Sequence, residues 1–176
     1  MLHIVYGGSA SGKSSYVESF ALSLQGDGRL LYIATMYPYK WNTTEIDPET
    51  MQRIERHRAM RADKGFDTVE CYRHVEHIVA KRQDVLLLEC MSNLLANEMY
   101  LEQDSDDGGL AETMSEVEKA GVGMSETLSP VSKKIVQALV NLSTRVQELV
   151  IVTNDVFSDG GSLTYDESTR EYVKNL

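Results

Sequence analysis

The sequence is short of several things, and each shortage excludes a class of protein. It has two cysteines in 176 residues, Cys71 and Cys90, without the spacing of a metal site and too few for a disulfide framework. Three prolines and no internal repeat exclude a collagen-like chain. No apolar run approaches the ~20 residues needed to span a bilayer. The opening MLHIVYGG has neither the charged nor the long apolar region of a signal peptide. Positive charge is scarce too, with 17 Lys+Arg against 27 Asp+Glu and a formal net charge of −10. Binding to nucleic acid or to an anionic membrane surface needs basic surface, so neither is expected. One local basic site still suffices for a small phosphorylated ligand. Cys90 ends an apolar run and reads as a buried thiol in a reducing compartment, so the expected location is the cytoplasm.

What remains, 42% hydrophobic and 25% charged, is the composition of one globular domain with a continuous core. Leu2–Tyr6 is an apolar run that stops at two glycines, as a buried strand would. Tyr16, Val17, Phe20, Ala21 and Leu24 then share one helical face. Leu30–Ala34 reads as a second buried strand. Asp47-Pro48 is a helix-start signal, predicting a helix over Pro48–Ala62, followed by a polar break at Asp63–Asp67. A helix is expected around His74–Arg82, then a strand at Asp84–Cys90. Ser129-Pro130 starts an amphipathic helix that leads into a strand at Leu149–Thr153. Strands apolar on both faces alternating with helices predict an α/β fold: a P-loop NTPase-like, mostly parallel sheet with helices on both faces. The segment Glu102–Val131, with eight acidic residues and one lysine, fits no such element and reads as an acidic insertion, a mobile loop with a helix possible at Leu110–Ala120. Thr169–Leu176 looks like the start of a helix.

Gly7-Gly8-Ser9-Ala10-Ser11-Gly12-Lys13-Ser14 fits the pattern G-x-x-x-x-G-K-[ST], between a predicted strand and a predicted helix. In that setting backbone N–H groups curl around phosphate oxygens at a helix N-terminus, a lysine reaches the β- and γ-phosphates, and a hydroxyl ligates Mg²⁺. The competing explanation, a Gly/Ser-rich turn with a chance lysine, lacks a reason for both flanking elements. Such a loop needs a metal-side carboxylate at the end of another strand. Glu89 after Leu86-Leu87-Leu88 is the candidate, with Asp155 at a similar edge. Ligands sit beyond the C-terminal strand ends of such sheets, which groups Gly8–Ser14, Thr35, Glu89 and Asn154 on one rim. Arg53, His57 and Arg61 fall on one face of the Pro48–Ala62 helix, with Arg58 beside them. A phosphate site with a nucleophilic histidine fits this stripe; so does a solvated basic face with a surface histidine.

These segments together resemble the bifunctional adenosylcobinamide kinase/adenosylcobinamide-phosphate guanylyltransferase family of cobalamin biosynthesis. The resemblance rests on GGSASGKS at 7–14, LLYIAT at 30–35, RIERHR at 53–58, TVE at 68–70, LLLEC at 86–90, Asn97 and VTND at 152–155. It implies phosphorylation of the aminopropanol hydroxyl by a nucleoside triphosphate, GTP or ATP. It further implies GMP transfer from GTP through a guanylylated histidine, with His57 as nucleophile and Lys13, Ser14, Glu89 and Mg²⁺ on the triphosphate. By the same resemblance Ala34, Thr35, Met36, Arg58, Ala59, Met60, Arg61 and Glu70 join residues 7–14 as nucleotide contacts, and the assembly is a homotrimer. The chain departs from the family pattern at Ala10, where arginine is usual, and after the histidine helix, where Phe66 lies in place of a proline and tryptophan. It also ends before the last helix and strand that the family leads one to expect. A P-loop kinase for another small alcohol or nucleoside, and a nucleotide-binding subunit without catalysis, stay open as alternatives.

Overall fold

The computed structural model describes residues 1–8, 11–41, 43–101 and 129–154. Ser9, Ala10, Asp155, the helix start at 169–176 and nearly all of the acidic segment lie outside them. Five strands form one sheet: β1 (Leu2–Gly7), β2 (Leu30–Ala34), β3 (Phe66–Glu70), β4 (Val85–Glu89) and β5 (Glu148–Asn154). Their order is β1-β5-β4-β2-β3, and every pairing is parallel. The helices are α1 (Lys13–Leu24), α2 (Pro48–Arg61), α3 (Met91–Tyr100) and α4 (Pro130–Arg145). None among the described residues is long and apolar enough to cross a membrane.

The central strands are aliphatic throughout because both of their faces are covered. Val85, Leu86, Leu87 and Leu88 of β4 are all fully buried. On one face Val17 and Ala21 of α1 pack against Tyr32, Leu87, Val150 and Val152. On the other, Leu94 and Leu95 of α3 and Ile135, Leu139 and Leu142 of α4 meet Leu31, Ile33, Leu86 and Leu88. At about 1.5–3 kcal/mol for each fully buried large aliphatic side chain, β4 is the best-anchored strand.

Parallel pairing brings all the C-terminal strand ends to one edge. The register sets Val5, Val152, Glu89, Ala34 and Glu70 at one level across the sheet. At the opposite edge the buried Asp84 carboxylate accepts hydrogen bonds from Arg29 N (3.1 Å), Arg29 Nη2 (2.5 Å) and Lys81 N (2.7 Å). Gly28 passes so close that an added Cβ would lie 1.8 Å from Gln83 O.

Three expectations need correction, and one helix went unforeseen. The run Leu2–Tyr6 is a strand, but a partly exposed one. It pairs only with β5 among the described strands and leaves Ile4 66% and Tyr6 57% exposed. The polar break at 63–67 gives way to β3 from Phe66, a largely exposed strand that pairs only with β2 among the described strands, where polar residues are tolerated. In place of a helix over His74–Arg82 there is a single 3₁₀ turn, Val75–His77, entered through His74 at φ 55°. Val75 and Ile78 are buried at the three-residue interval that such a turn shares with an α-helix, while Val79 is exposed. Finally, α3 follows β4 directly, and nothing in the reading of the periodicity had marked it.

Candidate nucleotide site

The loop after β1 rises to Gly12, whose φ of 82° is the left-handed conformation that glycine adopts freely, and α1 starts at Lys13. Lys13 Nζ donates to Gly8 O at 2.9 Å, folding the lysine back over the described part of the loop. Ser14, one residue into the helix, donates from Oγ to Glu89 Oε1 at 2.6 Å. The other carboxylate oxygen, Oε2, accepts from the Tyr32 hydroxyl at 2.9 Å. Burial, reinforced by the Glu89 charge, pushes the Tyr32 phenol well above its ordinary value, so it stays a donor.

Opposite this group stands α2. Its start is fixed as the sequence indicated: Pro48 occupies the first turn and the Asp47 carboxylate accepts from Thr50 N at 3.2 Å. The stripe Arg53, His57 and Arg61 faces a cavity of about 360 Å³ that Lys13, Ser14 and Glu89 also line. Arg61 is the one buried residue of α2, 5% exposed. Its guanidinium lies 3.4 Å above the Tyr32 ring, and its Nε and Nη1 have no hydrogen-bond partner among the described residues. A buried cation with unmet donors, turned toward a cavity, suits an anion. Arg58 pairs with Glu70 at the end of β3, and the Tyr72 hydroxyl donates to the same carboxylate at 2.8 Å.

Ala34, Met36, Arg58, Arg61, Glu70 and Asn154 line this cavity together with the loop lysine and serine. Ala59 and Met60 do not, and Met60 is 48% exposed. Thr35 is fully buried behind the rim. Its Oγ1 donates to Cys90 O (2.9 Å) and accepts from Cys90 N (2.8 Å), across a cis Glu89–Cys90 peptide bond. Asn97 Nδ2 donates to both Thr35 O (2.8 Å) and Tyr72 O (2.9 Å), so α3 ties the ends of β2 and β3 together. Gly7, Gly8, Ser11 and Gly12 lead up to Lys13 and are not among the lining side chains.

Sequence reasoning missed Tyr32, which joins the carboxylate side of the cavity to the arginine side. The signal was there: a tyrosine inside an aliphatic strand must find a partner for its hydroxyl. The Ser14 hydroxyl and the Glu89 carboxylate, two adjacent hard oxygen donors opening on the cavity, suit Mg²⁺, which takes few protein ligands and shares substrate phosphates.

A parallel sheet with a glycine-turned lysine at the N-terminus of α1 and a carboxylate at the C-terminal end of β4 defines a P-loop NTPase-like α/β protein. Within that class the chain belongs to a particular family: the model CobU, cobinamide kinase / cobinamide phosphate guanyltransferase, matches residues 3–176. Comparison with curated proteins finds no match. The protein is thus an enzyme of a family with two activities, a kinase for cobinamide and a guanylyltransferase for cobinamide phosphate.

Proposed function

We propose that both activities run in the one cavity, with His57 as the carrier of the guanylyl group. The observation that supports this most is that His57 lines the same space as Lys13, Ser14 and Glu89, so a nucleophile stands opposite the triphosphate-holding residues. In the kinase reaction the hydroxyl oxygen of the acceptor bonds to the γ-phosphorus of GTP or ATP. The bond to the nucleoside diphosphate breaks, and the hydroxyl proton is released. Lys13 leaves Gly8 O to hold the β- and γ-phosphates. Ser14 and Glu89 would hold Mg²⁺, which supplies charge neutralisation at the phosphate oxygens when bound. In the guanylyl transfer a His57 ring nitrogen bonds to the α-phosphorus of GTP and pyrophosphate leaves. A phosphate oxygen of the acceptor then displaces the imidazole, forming the diphosphate link. Arg53, Arg58 and Arg61 balance the charge of the transferring group.

Incubation with GTP and Mg²⁺ followed by intact-protein mass spectrometry tests this reading. The expected result is an acid-labile, base-stable GMP adduct on His57. His57→Ala should lose the adduct and keep cobinamide phosphorylation, whereas Lys13→Ala should lose both. A folded wild-type protein that phosphorylates cobinamide without ever taking up GMP refutes the histidine step. Nucleotide consumption with another alcohol, cobinamide being inert, refutes the acceptor. A homotrimer, which light scattering would detect, and a cytoplasmic location belong to the same proposal.

A further inference from the structure

The nucleotide cavity, at about 360 Å³, is small for a corrinoid, yet the acceptor's arm must enter it. Cobinamide is a wide corrin macrocycle with axial ligands on its cobalt and a rim of methyl groups and amide chains, and the reacting hydroxyl sits at the tip of one short arm. The macrocycle therefore needs a seat outside the cavity and within the arm's reach.

Such a seat adjoins it. The connection from β2 to α2 carries Tyr37, Tyr39 and Trp41, Tyr72 follows β3, and Tyr100 ends α3. Tyr37 is the hub, with ring centroids 5.4 Å from Tyr39, 6.4 Å from Trp41 and 5.4 Å from Tyr72, while Trp41 meets Tyr100 at 6.2 Å. Four of nine tyrosines and the single tryptophan are thus gathered in one place. Of these rings Tyr37 and Tyr72 line a second, wide hollow of about 990 Å³, together with Thr43, Thr44, His74, His77 and Val79, which is 86% exposed. The two cavities meet: Glu70 and Tyr72 line both. Rings with polar tips beside threonine hydroxyls offer an apolar floor and hydrogen-bonding edges, the complement of an amide-fringed macrocycle.

We propose that this aromatic hollow binds the corrin macrocycle of the acceptor, with the arm passing Glu70 and Tyr72 to reach the phosphates. The assignment rests on the proposed function and adds to it the place where the acceptor is recognised. Two variants test it in the full chain. Tyr37→Ala removes the hub, and Val79→Arg sets a bulky cation on an exposed residue whose replacement leaves the core alone. Cyanocobinamide binding is read by equilibrium dialysis and by KM in the kinase reaction, and GMP labelling serves as the nucleotide control.

Both variants should raise the corrinoid KM about tenfold or more, the scale of a lost aromatic contact or an added clash, and both should label with GMP as the wild type does. With 1-amino-2-propanol, which carries the reacting hydroxyl but lacks the macrocycle, wild type and variants should be equally poor. A corrinoid KM and affinity unchanged in both variants overturns the proposal, as does an equal loss with the truncated acceptor. A wild-type protein that forms no GMP adduct and does not phosphorylate cobinamide overturns this proposal and its parent together. One that labels with GMP and phosphorylates cobinamide, yet ignores both substitutions, overturns only the aromatic seat.

Discussion

Arg61 gives the most demanding prediction, because its two roles pull stability in opposite directions. Without an anion, its Nε and Nη1 are buried and unpartnered among the described residues. Each unmet buried donor costs about 1–3 kcal/mol. Stacking on Tyr32 at 3.4 Å returns up to about 2 kcal/mol. The net is a cost of about 2 kcal/mol that a phosphate would remove. Arg61→Met keeps the volume and discards the charge. The nucleotide-free variant should therefore unfold at the wild-type temperature or a few degrees above it, at ~2–4 °C per kcal/mol for a chain of this size.

With nucleotide the order reverses. Two lost charge-assisted hydrogen bonds, at ~1.5–3 kcal/mol each, weaken binding about a hundredfold or more. At GTP near 100 times the wild-type Kd, binding adds about 2.7 kcal/mol to the wild type and about 0.4 kcal/mol to the variant. Thermal unfolding followed by circular dichroism, with and without GTP and Mg²⁺, reads all four values. A variant that loses stability in the absence of nucleotide and keeps the full GTP shift refutes the reasoning, and Arg61 would then be a packing residue for Tyr32.

Other outcomes can be measured alongside. Glu89→Gln keeps the Tyr32 and Ser14 neighbours but not the charge, and should raise the Mg²⁺ needed for half-maximal kinase activity by about tenfold. Asp84→Asn should cost about 2 kcal/mol at neutral pH, measured by urea unfolding. Burial alone would raise the Asp84 pKa, but the Arg29 and Lys81 hydrogen bonds outweigh it and hold the carboxyl below its ordinary value. Its contribution is therefore complete above the unfolded value of about 4 and disappears as the pH falls through the lower folded value, so the two proteins should converge in acid. Gly28→Ala should destabilise by about 1–3 kcal/mol, because the clash is with backbone and not with a side chain that can turn away. Asn97→Ala strands the carbonyls of Thr35 and Tyr72, and should lower Tm and nucleotide affinity together.

The chain displayed its central strands openly, because residues such as Leu86–Leu88 are apolar for a reason that does not depend on neighbours in space. The turn at Gly12 into a helix starting at Lys13 was equally plain, since its signal is local. Features that depend on neighbours were hidden. Leu2–Tyr6 has the composition of a core strand but pairs on one side only among the described strands, which the strand order alone reveals. Thr35 looked like a rim residue, but its hydroxyl is spent on both backbone groups of Cys90. Tyr32 was lost among aliphatic residues although it spans the site. The stripe Arg53, His57 and Arg61 was legible as a face of α2; what that face looks at was not.

The shared register level of Glu89, Ala34 and Glu70 has a consequence for how this cavity can vary. Adjacent strands stand about 4.8 Å apart, so the two carboxylate-bearing positions are separated by two steps of the sheet, about 10 Å. The hydrogen-bond ladder sets that interval, and no side-chain substitution lengthens or shortens it. The sheet acts as a ruler with one fixed marking between the Ser14 side and the Arg58 side. Adjustment to a substrate of different length must then come from α2, which has a single buried residue and is the adjustable jaw of the gauge.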